Sequence, residues 1–336
     1  MSELSIFRIG EMVWYKTPNN AWRLGIVIQV HAQDNMVRCL IKPLGHNQID
    51  LDNQIKGEME MKPFLAFSVP PVSSPIDKYK SQLMANIPWA DLQNRIAGVD
   101  EGRRQLVAME GSKLSAIEID HAWSTFNTIS VQQHQDGVST IVHVAGVFLG
   151  AEKLNIQEAV RIRLPQNELD PAWSKALPVV MVVRGMYVIM KPQQQDTLHL
   201  FGDIWRLEET ANQQHQPSSM LPASMQMEKQ FRDSVKAPHG THFDWLLVQQ
   251  NVVKPENSIR GRFYQTSRLM PVLDDAKYRN ALSKGVVEDT QAYMNNRLDS
   301  ATQLNVGRRP NRLATTKGMI PDTFYFSLGS DVVEDR

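Results

Sequence analysis

The sequence has little cysteine, no net charge and no long apolar run, and each absence excludes a class of protein. Its 336 residues include one cysteine, Cys39, so they form neither an intramolecular disulfide framework nor a cysteine-based zinc site. Lysine plus arginine and aspartate plus glutamate both number 36, so bulk charge does not attract a polyanion. No run of about 18 apolar residues predicts a membrane-spanning helix. We expect a reducing compartment, no membrane partner and, from Met1 to Ser5, no secretory signal.

Motifs of the common enzymes are also missing. The chain has no phosphate-binding Gly-x-x-x-x-Gly-Lys-Ser/Thr loop, no dinucleotide-binding Gly-x-Gly-x-x-Gly and no Gly-x-Ser-x-Gly elbow. Its densest cluster of metal-ligand residue types is His239, His242 and Asp244, beside Pro238, and this short spacing is typical of a turn. We predict no catalytic residue, no metal, no cofactor and no small-molecule substrate. A metal-dependent hydrolase built on that cluster is the remaining enzymatic alternative.

Strand patterns dominate the first part of the chain. Alternating polarity between turn-forming clusters predicts strands over 7–15, 21–30 and 36–43, with a closing strand over 64–69. Antiparallel strands at this spacing predict an SH3/Tudor-like small barrel over residues 1–72. The Pro-rich segment 70–75 cannot continue a sheet interior, so it begins a linker with short helices over 73–123.

A second β-rich region follows, and we predict a domain over 124–275. Its predicted strands cover 124–133, 140–149, 158–164, 179–190, 197–207, 245–253 and 261–269. A short helix is expected over 225–235, after an exposed polar loop over 211–224. Residues 276–336 form a basic carboxy-terminal region. The predicted fold class is therefore mainly β, with two small barrels and short connecting helices.

The most specific local pattern lies in the first two predicted strands. Gly10-Glu11-Met12-Val13-Trp14-Tyr15-Lys16, followed by Trp22-Arg23-Leu24-Gly25, resembles the Tudor, PWWP and related SH3-like barrels. The resemblance implies an aromatic cage that binds a methylated lysine or arginine of a peptide by cation–π attraction. Trp14, Tyr15 and Trp22 are the candidate peptide-binding residues. The third predicted strand has no aromatic residue, so the simpler interpretation is that Trp14 and Trp22 fill the barrel core.

A second resemblance covers roughly residues 124–275. It rests on Gly146-Val147-Phe148-Leu149-Gly150, on Gln157 to Leu164, on Val180 to Tyr187 and on Leu198-His199-Leu200-Phe201-Gly202-Asp203-Ile204-Trp205. Their order resembles a bromo-adjacent homology (BAH) domain, and especially the fungal transcription-silencing protein Clr2 (cryptic loci regulator) family. The resemblance implies a nuclear scaffold or reader without catalysis, in a nucleosome-deacetylating silencing complex. The charged residues Glu152, Arg161, Arg163 and Asp203 are interpreted as ordinary strand-end charges.

Basic residues are concentrated near the carboxy terminus. From Lys254 to Lys317 there are 12 basic and 6 acidic residues. Arg260, Arg262, Arg308, Arg309 and Arg312 are the candidate contacts for nucleic-acid phosphates or an acidic partner. The alternative is that these arginines are solvated or paired with protein groups.

These patterns predict a non-enzymatic, nuclear, chromatin-associated scaffold or reader in a silencing or heterochromatin complex. Its expected partners are the protein subunits of that complex, with histones or DNA as further contacts through the basic patch. A purely structural subunit of a remodelling or transcription complex is the alternative from another class.

Overall fold

The computed structural model describes eight stretches of the chain. They are residues 5–33, 36–73, 76–97, 100–164, 177–210, 221–299, 304 and 306–334. The chain forms two compact units. One, here called the terminal unit, comprises Phe7–Thr128, Val147–Lys153 and Arg297–Arg336. The other, the central unit, comprises Met1–Ile6, Ile129–Gly146 and Leu154–Asn296. The four-part domain division drawn from the sequence stays a prediction about which segments fold independently.

The terminal unit begins with a five-stranded antiparallel sheet. Its strands are β1 (Met12–Lys16), β2 (Trp22–Gln33), β3 (Met36–Pro43), β4 (Gln54–Gly57) and β5 (Met61–Pro63), in the order β4-β3-β2-β1-β5. Met12, Ile26 and Ile41 are buried on it. The three predicted strands are therefore present. The predicted closing strand over 64–69 is wrong, because Phe64–Ala66 forms a 3-10 turn and β5 lies just before it.

Two helices follow in the same unit, α1 (Trp89–Leu92) and α2 (Glu101–Asp120). The Asp100 side chain accepts the Gly102 N–H at 2.9 Å and caps the start of α2. The expectation of only short helices over 73–123 is wrong for α2. Many of its buried residues are polar, including Glu110, Ser115 and Glu118, so the sequence shows no long apolar stripe.

Two long strands contribute residues to both units. They are β6 (Ala122–Gln133) and β7 (Thr140–Leu149), and β8 (Glu152–Asn155) follows them. Within the terminal unit, β14 (Gly307–Arg308) pairs in parallel with Ala122 and Trp123 of β6. The short helix α5 (Arg312–Thr315) comes next and is capped by the Asn311 side chain, which accepts the Ala314 N–H at 2.7 Å.

The central unit is a strand-rich layer covered by helices. Its strands are β9 (Ala159–Ile162), β10 (Val179–Met190), β11 (Thr197–Thr210), β12 (His242–Pro255) and β13 (Ile259–Arg262). The antiparallel order is β12-β11-β10-β7, and β9 pairs with both β10 and β13. The helices are α3 (Ala223–Lys236) and α4 (Thr266–Ser283). The strand predicted over 261–269 is thus wrong beyond Arg262, and most of the predicted loop over 211–224 lies outside the described residues.

Apolar side chains from the sheet and α3 form the core of the central unit. Val180 and Val182 of β10 pack with Met225 of α3 and with Phe243 and Trp245 of β12. The Trp245 Nε1–H donates to the Met225 carbonyl at 2.9 Å, so the buried indole is satisfied. This core buries one face of the strand that the sequence predicted over 179–190.

The fold is mixed and strand-rich, with 38% strand and 29% helix, so "mainly β" understates the helices. The described strands form two open sheets, and neither closes into the predicted barrel. No helix among the described residues is long and apolar enough to cross a membrane.

Candidate functional site

The candidate peptide-binding aromatics of the terminal unit occupy two different environments. Trp14 is buried, and its Nε1–H donates to the Phe64 carbonyl at 2.8 Å. Tyr15 is also buried, and burial raises the pKa of its hydroxyl to about 12. Trp22 is half-buried at the start of β2. The structure therefore places Trp14 in the core, as the simpler interpretation predicted, whereas Trp22, which that interpretation also placed in the core, is only half-buried.

Trp22 has two neighbours, Phe67 and Lys62, that the sequence interpretation missed. Its ring centroid lies 5.5 Å from that of Phe67, at an interplanar angle of 60°. The Lys62 ammonium lies 5.3 Å from the Trp22 centroid and 5.2 Å from the Phe67 centroid. Phe67 had been assigned to a strand that does not form. The pairing of β1 with β5, which brings Lys62 opposite Trp14, is a long-range contact with no local signal.

Arg262, one of the two candidate arginines of the central unit, is an interior group. It is only 4% exposed, its guanidinium donates to the Ile6 carbonyl, and it lies 4.5 Å from the Tyr264 ring centroid. Arg161 of β9 in turn donates to the Arg262 carbonyl at 3.2 Å and to the Arg260 carbonyl at 3.1 Å. Arg262 therefore stabilises the unit, whereas Arg260 is half-buried and its phosphate role stays a prediction.

Arg312, in the terminal unit, is fully buried. It donates to the Gly10 carbonyl at 2.8 Å and to the Gly150 carbonyl at 2.9 Å, and its guanidinium lies 5.1 Å from the Phe148 ring centroid. Burial lowers its pKa to about 10. Gly10 has a φ of +87°, and a Cβ there would lie 2.6 Å from Phe148. Arg312 thus links its own stretch of backbone to those of Gly10 and Gly150. Its side chain has no exposed surface with which to contact a phosphate.

Arg308 and Arg309 are half-buried beside β6. Arg309 Nη2 lies 3.1 Å from Glu118 Oε1, and its backbone N–H donates to the Trp123 carbonyl at 2.7 Å. The five candidate arginines therefore belong to two different units, and two of them are interior. The predicted basic patch is reduced to Arg260 in one unit and to Arg308 and Arg309 in the other, where their binding role stays a prediction.

The alternative metal cluster gains no support from its described members. Asp244 is buried and lies 3.2 Å from the Lys229 ammonium, which is also 2.8 Å from Asp233. Lys229 thus supplies a positive charge to both carboxylates. The side chain of His239 lies outside the described part of the chain. Among the residues that the structure describes, no group of three His, Cys, Asp or Glu could hold a metal ion.

Asp203, interpreted as a strand-end charge, holds together the bulged middle of the central sheet. It accepts the Asn251 N–H at 2.9 Å and lies 3.2 Å from Arg184, whose guanidinium is 4.7 Å from the Phe201 ring centroid. Gly202 is required there, because a Cβ would lie 1.9 Å from the Val182 carbonyl oxygen. These contacts give Asp203 a structural role at the bulges of β10, β11 and β12.

Comparison with known proteins gives a shared fold and a family match over part of the chain. No curated protein matches the sequence. A solved structure described as Clr2 bound to the Clr1 C-terminus shares the fold, with a TM-score of 0.50 and 15% identity. The match covers 95% of this chain and 59% of that one, so this chain spans less than two thirds of the solved relative. Residues 143–265 match the family described as transcription-silencing protein Clr2, and this segment runs from β7 through β13. Just over a third of the chain is therefore similar to the Clr2 transcription-silencing protein family.

Proposed function

We propose that this protein is a non-catalytic subunit of a nuclear transcription-silencing complex, in which it binds partner proteins and chromatin. The observation that carries the proposal is the family match over the β7–β13 segment of the chain. The solved relative was determined with the carboxy terminus of Clr1. By analogy, this chain binds a terminal segment of a partner subunit.

The sheet of the terminal unit supports a protein-binding role. Its strands pair in the order β4-β3-β2-β1-β5, so β4 lies at one edge of an open sheet. Large apolar side chains stand exposed around its β4 edge, namely Met36 at 58%, Ile55 at 65% and Met59 at 55%. Exposed apolar groups near a sheet edge favour the docking of a protein partner.

Contact with DNA or an acidic protein is the secondary part of the proposal. It rests on the half-buried Arg260, Arg308 and Arg309, because Arg262 and Arg312 are committed to carbonyl groups of their own units. A few phosphate contacts of this kind give weak, salt-dependent binding that adds to protein contacts.

The test is affinity purification of the tagged chain from its own nuclei, with mass spectrometry of the proteins that come with it. We expect deacetylase and remodelling subunits. Changing both Ile55 and Met59 to Lys should reduce their recovery severalfold, because charges replace exposed apolar contacts. A matched double change at Ile129 and Val131, which are equally exposed on β6, serves as the control. Recovery of no nuclear partner would contradict the proposal, and an insoluble chain rescued only by co-expression would favour the purely structural alternative.

A further inference from the structure

The edge strand β4 directs some of its backbone polar groups away from the sheet. Among the described strands it pairs with β3 alone. The Gly57 N–H at its end donates to the Glu60 carboxylate at 3.0 Å, so it points away from β3. Alternate residues of an antiparallel strand direct their N–H and C=O groups to opposite sides. The N–H and the carbonyl of Ile55, two residues earlier, therefore also point towards the open edge.

Apolar side chains stand on one face of the sheet beside this edge. Arg38 of β3 lies opposite Gly57 in the ladder. Met36 precedes Arg38 by two residues and Ile55 precedes Gly57 by two, so their side chains share a face. Met36, Ile55 and the following Met59 are all exposed. A strand added to β4 would place every second side chain on this face, where an apolar residue could pack against them.

The surroundings of the edge are acidic. Residues 50–60 contain one basic side chain, the buried Lys56, and four acidic ones, Asp50, Asp52, Glu58 and Glu60. The side chains of Asp50 and Glu60 are 75% and 53% exposed. This local negative charge, on a chain without net charge, favours a positively charged partner.

We propose that the β4 edge binds an extended, basic segment of a partner protein as an additional strand of the sheet. The Ile55 N–H and carbonyl form hydrogen bonds with the added strand. Its apolar side chains pack on Met36 and Ile55, and its basic ones face the acidic segment 50–60. The inference rests on the protein-binding part of the proposed function, and it adds the chemistry of the bound segment and its mode of binding.

The test is titration of the full chain with a synthetic peptide in which lysine and valine alternate, followed by fluorescence anisotropy of a label on the peptide. Ile55→Ala should weaken binding severalfold, because it removes the exposed side chain but keeps the N–H. Ile55→Pro should weaken it by about a further tenfold, because proline has no N–H to donate. Proline is tolerated in an edge strand where the N–H faces solvent, and thermal unfolding of both variants verifies the fold.

A second comparison isolates the charge. Asp52→Asn removes an exposed negative charge beside β4 and should weaken binding of the basic peptide by about twofold. Asp91→Asn removes an exposed charge of the same sign from α1 and should leave the affinity unchanged. A peptide with glutamate in place of every lysine should bind at least about tenfold more weakly than the basic peptide.

Three results would overturn the inference. Equal affinities of the Ile55→Ala and Ile55→Pro variants would show that the segment docks through side chains alone, as a helix would, and forms no strand. Equal affinities for the basic and the acidic peptide would remove the charge selection. No measurable binding of the basic peptide to the unsubstituted chain would reject the edge as a binding site.

Failure of this inference is distinguishable from failure of the proposed function. The peptide titration uses the isolated chain, whereas the proposed function is tested by proteins recovered from nuclei. Equal affinities of the alanine and proline variants, with silencing subunits still recovered, reject the added strand alone. Strand-like peptide binding without nuclear partners rejects the silencing-complex role alone.

Discussion

The helices α2 and α3 bury carboxylates in different ways. In α3, Glu228 pairs with Arg232 one turn later on the same helix, at 2.6 Å. In α2, Glu118 pairs with Arg309, which is 191 residues away along the chain, at 3.1 Å. A pair separated by four positions is visible in the sequence, whereas a partner from the far end of the chain is not.

The two helices also organise their surroundings differently. Glu228 accepts the backbone N–H of Thr266 at 2.6 Å and its hydroxyl at 2.7 Å, so it caps the start of α4. The α2 carboxylates instead accept backbone N–H groups from three residues that are far apart in sequence. These donors are Ser73, Met84 and Leu298, at 2.7, 2.6 and 3.0 Å. One helix thus fixes a neighbouring helix, while the other joins distant stretches of its unit.

The largest effect is expected in α3. Glu228→Ala should lower the free energy of unfolding by about 4 kcal/mol, because it leaves the buried Arg232 without its anion and α4 without its cap. Urea denaturation measures it. Asp275→Ala, which breaks a pair with the exposed Arg279, should cost under about 0.5 kcal/mol and serves as the control. A loss below about 1 kcal/mol for Glu228→Ala would show that the pair is dispensable.

The next effect is a pH dependence from the end of α2. Burial, opposed in part by Arg297, raises the pKa of Asp120 from 3.8 to about 6 in the folded protein. The folded state therefore holds this proton more tightly, and the stability from this group is lost as pH rises from about 4 to about 6. Asp120→Asn should remove that loss and raise the free energy of unfolding at pH 7.5 by about 3 kcal/mol. Parallel stability–pH curves for the two proteins would contradict the assignment.

A smaller loss is expected at Glu118. Glu118→Leu removes the acceptor of the Met84 N–H and should cost about 2 kcal/mol, because a buried donor is left unsatisfied. Glu118→Gln keeps an oxygen acceptor there. Burial raises the pKa of Glu118, so loss of its charge alone should matter little. Urea denaturation of the two variants measures both losses. A glutamine variant less stable than the leucine variant would contradict the claim that the hydrogen bond to Met84, rather than the charge, is what Glu118 contributes.

The smallest stability effect is expected at Arg309, which is 23% exposed in its pair with Glu118. Arg309→Ala should cost about 1 kcal/mol. If Arg309 also contacts DNA, the salt dependence of DNA binding should fall by about one phosphate contact. Lys317→Ala, an exposed change in the same region, is the control. An unchanged salt slope for Arg309→Ala would remove Arg309 from the proposed DNA contact.

Local sequence patterns predicted the elements that pack through apolar side chains. They missed the bounds of elements that depend on polar contacts with residues far away in the sequence. The buried run in β10 and the helical spacing around Met225 were sufficient to predict β10 and α3. The end of β13 at Arg262 and the length of α2 depend on contacts that no local pattern encodes.

The candidate sites follow the same rule. Arg308, Arg309 and Arg312 are close in sequence and look like one basic cluster. The structure nevertheless places Arg312 against the carbonyls of Gly10 and Gly150, 302 and 162 residues away. Likewise, the sequence identified Trp22 but not its neighbours Phe67 and Lys62, because strand pairing brings them together. Residue type thus predicted which kinds of contact are chemically possible, whereas strand pairing and burial determine which side chains are placed to make them.

The most direct test of the proposed role is the transcript level of silenced loci in cells that lack this protein. The account predicts that those transcripts rise after deletion and that the unsubstituted chain restores silencing. The double variant Ile55→Lys, Met59→Lys should restore it less well. Unchanged transcripts at every silenced locus after complete deletion would contradict it.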